Sequence, residues 1–230
     1  MIIGVLGGMG TYATIHLFEQ YAALFSAKKE WERPRIIIDN RCTMPSRVRA
    51  LLYDENVEKL VDEMSESLCN LAASGCDRII LDCNTSHLFL PVIFKTYPEL
   101  ETKVVNIVNM CVSKIAETGT KRIFLLASEG TIDSKIYQNK FAEYDIECIV
   151  PSEDEYILLR RCIEAVKQNQ YDNETKQIFL DLVNRFNICL LGCTEMPILY
   201  EKYKDFVRCE AVFDPVYIAL TKLKEEFYDD

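Results

Sequence analysis

Two segments far apart in the chain each bring a cysteine to the end of an apolar run: Ile79-Ile80-Leu81-Asp82-Cys83-Asn84-Thr85 and Ile188-Cys189-Leu190-Leu191-Gly192-Cys193-Thr194-Glu195. A strand-like run that ends this way delivers its thiol to the loop beyond the C-terminal edge of a sheet, where open α/β sheets hold ligands. Two thiols facing one ligand can act as acid and base. A thiol's ordinary pKa, about 8.5, is close enough to neutrality for both protonation states to be reached, whereas serine is far too weak an acid and base. Such a pair suits removal of a proton from one face of a carbon and delivery of another to the opposite face. Asp82 and Glu195 flank the thiols, but strand alternation points neighbours to opposite faces, which weighs against a catalytic role for either. His87, four residues after Cys83 and on the first turn of a helix, can support a thiolate or serve packing alone.

Two further segments can hold an anion. Gly7-Gly8-Met9-Gly10 follows a strand and precedes a helix, so its backbone N–H groups suit a small carboxylate; it lacks the GxGxxG spacing and the Gly-Lys-Ser/Thr of nucleotide loops. Met44-Pro45-Ser46-Arg47-Val48-Arg49 follows the second strand, where an arginine can make a bidentate pair with a carboxylate or remain a solvated surface charge.

The elements that must position these residues alternate short β-rich runs with longer helical stretches, the pattern of parallel βαβ units. Strands are expected at 2–6, 35–39, 78–82, 103–107, 122–126, 146–150, 188–191 and 206–212. The clearest helix runs from an Asp54 N-cap to Ala73, with Val57, Leu60, Val61, Met64, Leu68 and Leu71 at helical spacing. The strand–loop Val5-Leu6-Gly7-Gly8-Met9-Gly10-Thr11 is echoed by Phe124-Leu125-Leu126-Ala127-Ser128-Glu129-Gly130-Thr131, and each half then reaches its own cysteine. The expected fold is α/β: two pseudo-symmetric lobes, each a mainly parallel sheet flanked by helices, with the site in the cleft between them. Residues 1–102 with 210–230 form the first lobe and 103–209 the second, the final helix from Pro215 to Phe227 packing on the first.

Composition narrows the function classes. A chain of 230 residues with 49% hydrophobic content and a net charge of −10 can build its core without disulfides. No basic leader is visible and no apolar run reaches the roughly 18 residues of a membrane helix, so a cytoplasmic protein with reduced thiols is expected. Cys69, Cys76, Cys111 and Cys148 read as small buried hydrophobes within periodic stretches. The acidic balance and scattered basic residues offer no contiguous positive face for nucleic acid.

Together, Gly7-Gly8-Met9-Gly10, Pro45-Ser46-Arg47, Cys83-Asn84-Thr85-Ser86-His87 and Gly192-Cys193-Thr194-Glu195 resemble the aspartate/glutamate racemase family, in particular its aspartate racemase branch. The resemblance spans nearly the whole chain. It implies a cofactor-independent amino-acid racemase, often a homodimer, acting on a small acidic amino acid without metal or pyridoxal phosphate. Carried over by position, Cys83 and Cys193 are the catalytic acid/base pair. Gly8, Met9 and Gly10, with Asn84, Thr85, Thr194 and Glu195, border the substrate, and Arg47 recognises its side-chain carboxylate. The resemblance adds Ser128 and Thr131 from the second half and Lys167 from a late helix. Two positions depart from the family pattern: Thr11 stands where proline usually follows the glycine loop, and Ser46 replaces an acidic residue before the arginine.

Three other readings use the same residues. A cysteine hydrolase would pair Cys83 with His87 and would not need Cys193. A zinc site from Cys83, His87 and Cys193 is disfavoured by a chain with two histidines and no CxxC pair. A catalytically weak dicarboxylate-binding protein would keep Arg47 and the glycine loop yet tolerate loss of either thiol.

Overall fold

The computed structural model describes residues 1–229. Its elements fall into two compact units, residues 1–107 with 216–229 and residues 108–215. In chain order the first unit contains β1 (Ile2–Gly7), α1 (Thr11–Leu24), β2 (Arg35–Asn40), α2 (Arg47–Tyr53), α3 (Val57–Ala73), β3 (Arg78–Leu81), α4 (Leu90–Thr96) and β4 (Val104–Val105). Helix α5 (Ile107–Glu117) leads into the second unit, which contains β5 (Arg122–Leu126), α6 (Glu129–Asp133), α7 (Ile136–Ala142), β6 (Glu147–Ile149), α8 (Glu153–Lys167), α9 (Asn173–Val183), β7 (Ile188–Leu191), α10 (Met196–Tyr203) and β8 (Ala211–Phe213). Helix α11 (Pro215–Asp229) returns to the first unit, where Phe227 packs edge-on against Phe25 and Glu226 pairs with Arg78 at 3.0 Å.

Each unit has one four-stranded sheet whose pairings are all parallel, in the orders β2-β1-β3-β4 and β6-β5-β7-β8. The two orders are the same order. The first strand of each half has the second on one side and the third on the other, so chain direction switches beside it, and the loops after the first and third strands open the crevice in which α/β sheets bind ligands.

The sheets are buried because the central strands are apolar on both faces: Ile3, Val5, Ile79, Ile80 and Leu81 in one, Phe124, Leu125, Leu126, Leu190 and Leu191 in the other. Helix α3 shows why the helices cover them, since Leu60, Met64, Leu68 and Leu71 recur on one face and are all buried. Each such side chain contributes about 2 kcal/mol on removal from water. One cluster of buried apolar side chains gathers around Leu6, Met64 and Leu81 in the first unit and another around Phe124, Leu159 and Leu191 in the second.

Several boundaries differ from the sequence expectation. Asp54 does not start α3: it closes α2 in the left-handed region (φ 55°), and the helix begins after Asn56 (φ 54°), because Asp and Asn tolerate that conformation where other residues resist it. Strand β4 shrinks to two residues paired with Ile79 and Ile80, and Ile107 opens α5 instead. The expected strand at 206–212 begins only at Ala211. Phe206 ends a 3₁₀ turn and lies under the Lys176 ammonium at 3.6 Å, a cation–π contact that a strand there would not make.

Candidate active site

In the first unit the site loops meet because β1 and β3 pair in register, Leu6 opposite Leu81, and the Asp82 N–H donates to the Leu6 carbonyl at 3.0 Å. Beyond β1, Gly8 takes φ 78°, and its amide donates to the buried Thr14 hydroxyl at 3.1 Å. That amide therefore has a partner on α1. Met9 is buried, with its sulfur accepting from Ser86 Oγ at 2.8 Å, which ties the glycine loop to the segment after Cys83. Gly10 precedes α1, and its carbonyl accepts from the Thr14 hydroxyl.

Arg47 stands at the first position of α2. Ser46, which departs from the family pattern, is the N-cap of that helix: its Oγ accepts from the Arg49 N–H at 3.3 Å, a task that an acidic residue performs equally well. The Arg47 guanidinium folds back so that Nη2 donates to the Met9 carbonyl at 2.7 Å and Nη1 to the Pro45 carbonyl at 3.2 Å. Its Nε is buried with no hydrogen-bond partner in the protein, and a buried unsatisfied donor is costly unless a ligand or water satisfies it.

Cys83 is half-buried just past β3, followed by buried Asn84 and Thr85. His87 lies on the 3₁₀ turn Thr85–Phe89, as expected, but both ring nitrogens address backbone. Nδ1 is 3.0 Å from the Cys83 carbonyl, and Nε2 is 3.4 Å from both the Val105 carbonyl and the Ile107 N–H, donating to the one or accepting from the other according to the tautomer. Burial pushes the imidazole pKa down against the pull of the carbonyls, so the ring is neutral at pH 7. It braces the main chain of Cys83 and not the thiolate. A hydrolase reading thereby loses its general base and a zinc reading loses its histidine.

In the second unit β5 and β7 pair in the same way, Leu126 opposite Leu191. Gly192 permits the close approach of their loops, since a Cβ there would stand 2.5 Å from Leu125 Cδ1 and 3.1 Å from Ala127 Cβ. Ser128 Oγ and Thr131 Oγ1 are 3.2 Å apart at the start of α6, and the Tyr156 hydroxyl accepts from the Glu129 N–H at 2.9 Å. Burial pushes the Tyr156 phenol up to about 12, so it remains protonated.

Cys193 and Glu195 form the most unusual contact of the site. The thiol donates to Glu195 Oε2 at 3.0 Å, with the residues only 9% and 3% exposed. Burial, then the Glu195 carboxylate, push the thiol well above its ordinary pKa, while Lys167 pulls the other way. Lys167 ends α8 and pairs with Glu164 at 3.1 Å; burial lowers its pKa, but Glu195, Cys193 and Glu164 outweigh that and leave it raised. Alternation does not send Glu195 away from the sulfur because β7 ends at Leu191, and the turn into α10 brings the carboxylate back.

Glu195, Thr194, Lys167 and Cys193 are thus neighbours, as are Cys83, Asn84 and Thr85. Ser86, which lay within the Cys83–His87 motif without an assigned role, also shapes these loops, as do Thr14 and Tyr156, which no motif marked. All ten cysteines are free thiols. Among the described residues no group of three or more His, Cys, Asp or Glu side chains is placed to hold a metal, and no helix is long and apolar enough to cross a membrane.

The family model described as Asp/Glu/Hydantoin racemase matches residues 6–223. The chain belongs to this racemase family. Among curated racemases it is 24% identical over 203 residues to a broad specificity amino-acid racemase of Bacillus subtilis, covering 85% of this chain and 86% of that one. It is 30% identical over 165 residues to a glutamate racemase of Carboxydothermus hydrogenoformans, an alignment that spans 66% of this chain and 58% of that protein. Among solved structures, the aspartate racemase of Picrophilus torridus superposes with a TM-score of 0.79 at 25% identity, covering 99% of this chain and 97% of that one. The racemase fold of two parallel four-stranded sheets flanked by helices is therefore common to this chain and its structural neighbours.

Proposed function

We propose that the protein interconverts the enantiomers of an acidic amino acid, aspartate first and glutamate second, with Cys83 and Cys193 as the two acid/base groups and no organic cofactor. The observation that carries this reading is the equivalent position of the two thiols, each in the loop after the third strand of an identically ordered sheet. One thiolate removes the α-proton from one face, the other thiol supplies a proton to the opposite face, and the roles reverse for the other enantiomer. The negative charge that builds as the α-proton leaves spreads into the substrate carboxylate, where the hydroxyl and amide groups of Asn84, Thr85 and Thr194 would meet it. Arg47, with a buried unsatisfied Nε, is the group best suited to a second carboxylate.

Proton NMR in D2O with L-aspartate, then L-glutamate, alongside chiral chromatography of the product, tests the proposal. Loss of the α-proton signal together with appearance of the D-enantiomer is expected for at least one of them; neither signal with either acid would refute it. Arg47→Ala is expected to lower kcat/KM for the acidic substrate by about 10- to 100-fold, the size of a lost charge-assisted hydrogen bond, with a much smaller effect on alanine turnover. Equal losses for both substrates would remove Arg47 from side-chain recognition.

A further inference from the structure

We propose that Glu195 is a positioning residue that keeps the proton on Cys193, so that in the resting enzyme Cys193 is the donor and Cys83 the base. The inference rests on the two-thiol reaction proposed above and makes its two halves unequal. The thiol and carboxylate are in direct hydrogen-bond contact at 3.0 Å and are both buried, so a thiolate at Cys193 would stand beside a like charge with little water to screen it. At Cys83 the contact made by His87 is with the main-chain carbonyl and not with the sulfur.

The charged and titratable groups that influence the Cys193–Glu195 pair come from α8. Lys167 offsets part of the carboxylate's effect and is itself paired with Glu164, and Tyr156 remains a neutral phenol. Lys167 therefore limits the cost of the thiolate that must form during turnover without inverting the preference.

The proton count closes. The Cys83 thiolate takes the α-proton and becomes a thiol, and the C–H electron pair stays on the substrate as the carbanion. That pair then takes the Cys193 proton on the opposite face, leaving a Cys193 thiolate beside Glu195. A reverse turnover, or proton exchange with water from Cys83 to Cys193, restores the resting form. Turnover of the other enantiomer starts from the less populated form, in which Cys193 is the thiolate.

Two midpoints should bound the pH profile of kcat/KM, because only the form with one proton shared by the two thiols reacts. Both midpoints belong to the thiol pair, and under the proposal the proton lost at the upper one is that of Cys193. Removing the negative neighbour stabilises the Cys193 thiolate, so Glu195→Gln is expected to move the upper midpoint down by about one pH unit or more and leave the lower one in place. Lys167→Met removes the positive neighbour and should move it up. A carboxylate with only a structural role would change the rate without moving the limb.

The direct readout is carbon-13 NMR of protein labelled at cysteine Cβ, titrated with pH, the Cys193 resonance being assigned from its loss in Cys193→Ser. A lower Cys193 midpoint in Glu195→Gln, with the Cys83 resonance unmoved, supports the proposal. An unchanged Cys193 midpoint in the folded variant overturns it. If Glu195→Gln does not fold, the upward shift in Lys167→Met decides, and no shift there also overturns it. Because this titration needs no substrate, a shifted midpoint in a protein that racemises nothing would sink the proposed reaction and leave the proton assignment standing.

Discussion

Cys193→Ser is expected to lose racemisation in both directions by about 10²- to 10⁴-fold, the range attributed to one positioned acid/base group, while remaining folded. The exchange of sulfur for oxygen is small, and a serine hydroxyl can still donate to Glu195 Oε2, so the buried carboxylate keeps its partner. What disappears is a group acidic enough to protonate a carbanion. The Cys83 thiolate remains and can still remove the α-proton from the one enantiomer whose proton faces it, then return a solvent-derived deuteron to the same face. In D2O this variant should therefore wash out the α-proton of a single enantiomer without inverting it. The complementary Cys83→Ser should wash out the opposite enantiomer, and more slowly, because Glu195 favours the protonated form of Cys193. Racemisation near the wild-type rate in either variant, measured by chiral chromatography beside NMR, would end the two-thiol reading.

Gly8→Ala is expected to cost about 3 kcal/mol or more of stability. Two costs coincide there. The backbone has φ 78°, which resists a side chain, and a Cβ would stand 2.4 Å from the Arg41 carbonyl carbon and 2.5 Å from the Cys42 nitrogen. Those atoms are main chain and cannot rotate aside. The Arg41 guanidinium is held by Glu63 at 3.3 Å and by Glu66 and Ser67, so the segment after β2 has little freedom to retreat. Gly75→Ala separates the two costs: its φ is 87°, but the nearest atom to a Cβ would be Ile2 Cδ1 at 3.7 Å. That variant should lose only about 1–2 kcal/mol, the conformational part alone. Urea unfolding of both reads the difference, and equal midpoints would show that the loop around Arg41 yields.

The α/β architecture was legible because its central strands, β1, β3, β5 and β7, are short apolar runs bounded by loops, and all four lie within one residue of their expected limits, as do the edge strands β2 and β6. The repeat of strand order was foreshadowed by the echo between residues 5–11 and 124–131. The edge strands β4 and β8 were less legible. Only two residues of β4 find a partner, and the run before β8 has a hydrophobic composition that serves a 3₁₀ turn and a lysine contact instead. At the site, sequence position located both cysteines, but side-chain direction came from tertiary context. Periodicity had no authority over Glu195 once β7 had ended. The turn of His87 was predictable, whereas the partners of its nitrogens depended on the backbone of Ile107, twenty residues away. The hydrogen bond of the Gly8 amide likewise depended on Thr14, a helix residue with no motif to mark it.

That each unit builds its own parallel sheet has a consequence for how variants combine. Glu195 and Lys167 belong to one compact unit and Arg47 and His87 to the other, and the hydrogen bonds described for each stay within its own unit. Stability losses from one substitution in each set should therefore sum to within about 0.5 kcal/mol. Under the proposed reaction catalytic losses need not sum, because both sets would address the same bound substrate. Any departure from additivity that shows in rate but not in unfolding measures communication through the reacting molecule itself, and a double-mutant cycle across the two halves becomes a gauge of how tightly the substrate couples them.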